Sequence, residues 1–160
     1  MTKMFRRAVL SLAAFTSLLQ AAPQPDFPQK FVLNLASIKT MVAAAEAEAV
    51  KRNVHVTICV TDENANILFL QKADAAGTAT IMYAQRKAKH AAIYRQPSKA
   101  AADRLKGGDF SVLALPDAFP NQGGLPIRFK GAVIGAIAAS GAPSEVDEAI
   151  AQAGIDALLK

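Results

Sequence analysis

One cysteine, no tryptophan and two histidines stand in 160 residues, and each shortage removes a class of protein. Cys59 has no second thiol to join, so the chain holds itself together by core packing or by association rather than by an internal disulfide. Alternation around Cys59 places that thiol in a buried strand. His55, His90 and Cys59, with weaker Met sulfurs, are the whole stock of nitrogen and sulfur ligands. They show no paired zinc spacing, which speaks against a structural metal cluster. There is no Walker loop, no Gly-x-Gly-x-x-Gly and no nucleophile elbow. There is also no internal repeat and no aromatic-and-basic surface motif of the kind an RNA-binding sheet carries.

What is present is apolar material for one core: 52% of residues are hydrophobic and 19% charged, outside the range of disordered chains. Lys3, Arg6 and Arg7 precede an apolar run from Ala8 to Leu19 that meets small residues at Ala21 and Ala22. This is the layout of a secretory signal, with cleavage expected after Ala21 and a periplasmic or secreted product. The run is too short for a relaxed membrane crossing, so no span is expected after cleavage. Removing residues 1–21 takes away three bases and no acid, which leaves 15 basic against 13 acidic residues and a net charge of +2. So slight a charge provides no electrostatic footprint for nucleic acid. Residues 22–34, with Pro23, Pro25 and Pro28, read as a leader, and residues 35–160 as one domain.

Helical spacing of Ile38, Val42, Ala45 and Ala49 predicts a helix over 35–52, capped by Asn34. Strict alternation over 54–61 predicts a strand, and Ile67-Leu68-Phe69-Leu70 a second one covered on both faces, the two forming a hairpin. Helices are expected over 79–95 and from Ser98 to Lys106. Leu113 to Gly124, with two prolines and a paired glycine, reads as a loop. Strands over 125–128 and 132–140 turn at Lys130-Gly131, and a closing helix opens on Ser144 and Asp147 as a cap signature, with Val146, Ile150, Ala153 and Ala157 as its apolar stripe. The order indicates an α+β fold, an antiparallel sheet with helices packed on its faces.

Candidate chemistry concentrates on the helix 79–95, where Tyr83, Lys87, His90 and Tyr94 share one face beside Arg86. Imidazole for iron, flat walls for a macrocycle and cations for propionates suit a haem, although a solvated helix face shows the same mixture. Gly123-Gly124 allows close approach of a ligand or of a neighbouring backbone. A competing reading is an enzyme acting on a small carboxylate or aromatic metabolite. His90 would be its acid or base, and the Gly123-Gly124 amides would receive an oxyanion. A third is an interaction module whose Tyr83, Lys87, His90 and Tyr94 face is covered by another subunit.

Arg86-Lys87-Ala88, Gly123-Gly124-Leu125-Pro126-Ile127, Gly131-Ala132-Val133-Ile134-Gly135-Ala136-Ile137 and Ser140-Gly141-Ala142 resemble the GlcG/HbpS haem-binding family, related to the C-terminal domain of PduO-type proteins. Asp147-Glu148 and Ala151-Gln152-Ala153-Gly154 extend the likeness over nearly all of the chain after residue 21. The resemblance implies a profilin-like three-layer α/β/α arrangement, binding of haem or a related tetrapyrrole, and a homo-oligomer. It also implies haem storage, scavenging or sensing, with peroxide-driven haem breakdown as a further activity. The ligand set expected from the helix face, and not carried over from the family, is His90 on iron, Tyr83 and Tyr94 flanking the ring, and Lys87 or Arg86 on a propionate. Two departures stand out: the family's Lys-Ala-x-Thr-Ala motif has His90 at the Thr position, and Asp62 to Asn66 replaces a glycine-containing turn.

Overall fold

A computed structural model describes residues 26–159, and the expected signal segment lies outside them. Helix α1 (Leu35–Lys51) is rich in Ala and Glu, and Asn34 caps it by accepting a 2.8 Å hydrogen bond from the Ser37 amide. It stops where Asn53 takes φ 53°, a left-handed conformation Asn tolerates. Strand β1 (Thr57–Asp62) begins later than alternation predicts, because both neighbouring ladders start at Thr57, against Lys72 on one side and Ser140 on the other. Strand β2 (Ile67–Lys72) completes the expected hairpin.

The turn between β1 and β2 has no glycine, and Ala65 sits at φ 67°. The Asp62 carboxylate holds it instead, accepting from the Asn64 amide at 2.9 Å, the Asn66 amide at 2.8 Å and the Asn66 side chain at 2.8 Å. Helices α2 (Thr80–Tyr94) and α3 (Ser98–Lys106) follow, then a short 3-10 turn (Phe110–Ala114) where only loop was expected from Leu113 on. Strands β3 (Gly124–Phe129) and β4 (Ala132–Ser140) form a hairpin through Lys130-Gly131, both at positive φ.

The four strands form one antiparallel sheet in the order β2-β1-β4-β3. Ile58, Val60, Ile127, Ile137 and Ala139 face α1 and the closing helix α4 (Ser144–Leu158), and this side holds the main core. Cys59, Ala136 and Ala138 face the other way, against Ala84, Ala88, Ala91 and Ala92 of α2. The fold is therefore α+β with helices on both faces, as expected.

Two expectations are corrected. Strand β2 is an edge, not a strand covered on two sides: Ile67 and Leu68 are 51% and 40% exposed, because α2 lies over β1, β3 and β4 and barely reaches β2. Helix α4 has no side-chain cap among the described residues, and of the predicted stripe Ile150 is fully buried and Val146 partly so, while the buried face is centred on Asp147, Ala151, Gly154 and Ile155 beside it. Its rotation follows from two close contacts. A Cβ at Gly154 would lie 2.9 Å from the Met41 carbonyl of α1, and Asp147 turns inward to meet a buried cation.

Candidate functional site

Helix α2 carries every expected ligand except the glycine pair. Its outward side is closed by the segment Leu115–Pro120, which lies across it as a strap. His90 Nδ1 accepts a 3.0 Å hydrogen bond from the Phe119 amide. The Tyr94 hydroxyl donates to the Pro116 carbonyl, and Lys89 pairs with Asp117 at 2.8 Å. The Phe119 ring stacks on Tyr83 with centroids 5.6 Å apart, and the Arg86 guanidinium lies 4.3 Å over that ring. The structure thus brings Tyr83, Arg86, His90 and Tyr94 together, and their shared partner is the chain's own backbone and Phe119.

His90 is 1% exposed, and burial pushes its pKa below the usual imidazole value. Because Nδ1 accepts, the neutral tautomer carries its proton on Nε2, which is buried with no hydrogen-bond partner among the described residues. A neutral imidazole suits iron when one ring nitrogen offers a free lone pair. With the strap in place, however, the Nδ1 lone pair is engaged and Nε2 is protonated and covered. The donor set fits a haem iron, and access requires the Phe119–His90 hydrogen bond to open.

Beside the strap, α2 and the β1–β2 turn border a groove of about 310 Å³ lined by Thr61, Ala65, Ile67, Gln85, Arg86 and Lys89. The hydroxyl of Thr61 is buried with no hydrogen-bond partner among the described residues. Of the two cations expected near a propionate, Arg86 is exposed here, whereas Lys87 is 2% exposed and turned into the protein.

Lys87 Nζ donates to Asp147 Oδ2 at 2.7 Å and to the Ala139 carbonyl at 3.2 Å. Asp147 Oδ1 accepts from the Ala142 amide at 3.0 Å. Burial pushes the Asp147 carboxyl above its ordinary value, against the opposing pull of Lys87. Gly123 and Gly124 are what let this pair form: a Cβ at Gly124 would lie 2.3 Å from the Lys87 carbonyl, and one at Gly123 would lie 2.9 Å from Lys87 Nζ. Their role is close approach of backbone to α2. The Gly124 amide donates to Ser98 Oγ at 2.9 Å, so it is not the free oxyanion donor expected of an enzyme reading. His55, outside any strand, is exposed.

Sequence reasoning missed Phe119, Asp117 and Asp147 as parts of these constellations. Asp147 was legible as an acid near a helix start, but its partner is 60 residues away. Phe119 stood between prolines with no period to orient it.

A family model described as "Haem degrading protein HbpS-like" matches residues 33–156. The chain belongs to the HbpS-like family. It is 34% identical over 131 residues to an uncharacterized 15.0 kDa protein from the dhaT-dhaS intergenic region of Citrobacter freundii, a match covering 78% of this chain and 90% of that one. Among solved structures, a double mutant of Streptomyces reticuli HbpS superposes with a TM-score of 0.77 at 33% identity, over 88% of this chain and 96% of that chain. A haem complex of PduOC shares the fold, with a TM-score of 0.75 at 21% identity over 81% of this chain and 96% of that one. Membership in the HbpS-like family associates the chain with haem. Among the described residues no helix is long and apolar enough to cross a membrane.

Proposed function

We propose that this HbpS-like chain is an exported haem-binding protein in which His90 becomes the iron ligand once the strap 115–120 lifts from α2. The observation that carries this is the His90 imidazole: neutral by burial, with Nε2 unpartnered and a single backbone amide holding Nδ1. Opening the strap frees Nδ1, so the proton can move to that nitrogen and leave a lone pair on Nε2. The same opening uncovers Tyr83 and Tyr94 as flat walls, and leaves Arg86 and Lys89 beside the groove as cations for propionates. Bound haem would supply a redox-active iron, the chemistry on which storage, sensing or peroxide-driven breakdown rests. The run before Ala22 is the support for export to the periplasm or beyond. The exposed apolar edge of β2 supports assembly into a homo-oligomer.

The test is a hemin titration followed at the Soret band. A saturable band is expected, lost in His90→Ala and formed faster in Asp117→Asn, which cuts the ionic tie between strap and Lys89 while keeping a side chain that tolerates φ 58°. A band of equal strength in His90→Ala removes His90 from the iron, and absence of any band removes the haem reading.

A further inference from the structure

On the other flank of α2, the first turns of α2 and α4 face each other across a cleft of about 390 Å³. Its floor is the Lys87–Asp147 pair, and its walls include Thr78, Asn121, Ser140 and the Tyr83 ring. We propose that this cleft binds a small organic carboxylate, recognised by Lys87 and Ser140. The inference is independent of haem.

The cleft's unused hydrogen-bonding capacity decides the class of ligand. Asp147 is fully engaged, one oxygen by Lys87 and the other by the Ala142 amide, so no carboxylate is left over to attract a cation. Lys87 has three N–H donors and two acceptors, which leaves one hydrogen without a partner among the described residues. Ser140 is 5% exposed, lines the same cleft, and its hydroxyl makes no hydrogen bond within the described residues. Lys87 in the floor and Ser140 in the wall therefore each have a donor to offer. Neither helix end is capped by a side chain, so the positive ends of two fifteen-residue helices add to that field.

With Asp147 offsetting most of the ammonium charge, a singly charged carboxylate suits the site better than a doubly charged phosphate. The volume lies at the small end of ligand sites. The Tyr83 ring, Ala79 and Ala142 give a short carbon chain an apolar wall.

The test uses haem-free protein, with acetate and propionate as probes and inorganic phosphate as the comparison, followed by amide NMR shifts. Saturable shifts of the Ser140, Gly141 and Ala142 amides are expected, with a Kd on the order of 1 mM. Ser140→Ala should weaken binding about ten-fold. Ser144→Asp should also weaken it about ten-fold through like charge at the mouth, while its acid at a helix start holds or raises the Tm. That opposition separates ligand repulsion from damage to the fold, which Lys87→Met alone would not. Shifts that never saturate, binding of phosphate but not carboxylates, or carboxylate binding unchanged in both variants would each overturn the proposal. Failure of the hemin titration leaves it standing, because haem takes no part in the measurement.

Discussion

Acid should loosen the strap through His90 before it unfolds the protein. The imidazole is 1% exposed and accepts from the Phe119 amide, and burial lowers its pKa. In the unfolded chain it titrates near its ordinary value of about 6.5. Between that value and the lower folded one the unfolded state binds more protons, so stability rises with pH there and falls on acidification. The stabilisation is fully present above about pH 6.5 and is lost as pH drops through the folded pKa. Its slope reaches at most about 1.4 kcal/mol per pH unit for one proton. A protonated Nδ1 also turns a hydrogen-bond donor toward the Phe119 amide, so that contact should be among the first to go. Urea melts at pH 7.5, 6.5 and 5.5 measure the slope, with His90→Asn as the comparison, since its amide oxygen stands in for Nδ1 without titrating. The wild type should lose stability with acid more steeply than the variant by up to one proton's worth, and exchange of the Phe119 amide should accelerate in step. Equal slopes would refute the assignment of a neutral, strap-holding His90.

The buried pair makes a second prediction. Lys87→Met leaves Asp147 uncompensated and should cost about 3–5 kcal/mol, whereas Lys87→Met with Asp147→Leu should recover most of that in thermal melts. A double variant no better than the single would show that the pair contributes more than neutralisation. Gly124→Ala puts a methyl 2.3 Å from the Lys87 carbonyl, so α2 or β3 must shift. A loss of about 3 kcal/mol is expected, and a melt within 0.5 kcal/mol of wild type, on the order of an ordinary surface change, would contradict the close packing.

Most of the architecture was legible because it is local. Asn34 before an Ala-rich repeat, alternation at Ile58 and Val60, and Lys130-Gly131 between two apolar runs each report on neighbours a few residues away. A continuous apolar run misled at β2. Ile67 to Leu70 reads as a doubly covered strand, and only the position of α2 over β1, β3 and β4 leaves it at an edge. Asp147 shows a sharper limit. Beside Ser144 it satisfies the pattern of a helix cap, yet its carboxylate faces a lysine 60 residues earlier. No local rule distinguishes those fates. At the site, helical spacing grouped Tyr83, Lys87, His90 and Tyr94 with Arg86 beside them; the strap covers the others, but Lys87 turns inward to Asp147, and spacing gave no account of what lies over the face. Phe119 and Asp117 come from a segment without periodicity, and their contacts are set by tertiary packing.

The motifs that carried the family likeness can now be given a physical reason for occurring together. Lys87, Gly123, Gly124, the Ala139 carbonyl, Ala142 and Asp147 come from α2, β3, β4 and α4, and they meet in one contact cluster. Each depends on the others: the glycines admit the Lys87 backbone, Lys87 neutralises Asp147, and Asp147 ties the loop at Ala142 to α4. A change at any one of them leaves a clash or an unpaired buried charge, so the set works only as a set. His90 stands outside that interdependence, one turn further along the same helix, held by a single hydrogen bond to a strap that other residues also grip. In the proposed haem reading, it is this single contact, rather than the interlocked cluster, that must break for the imidazole to change partner.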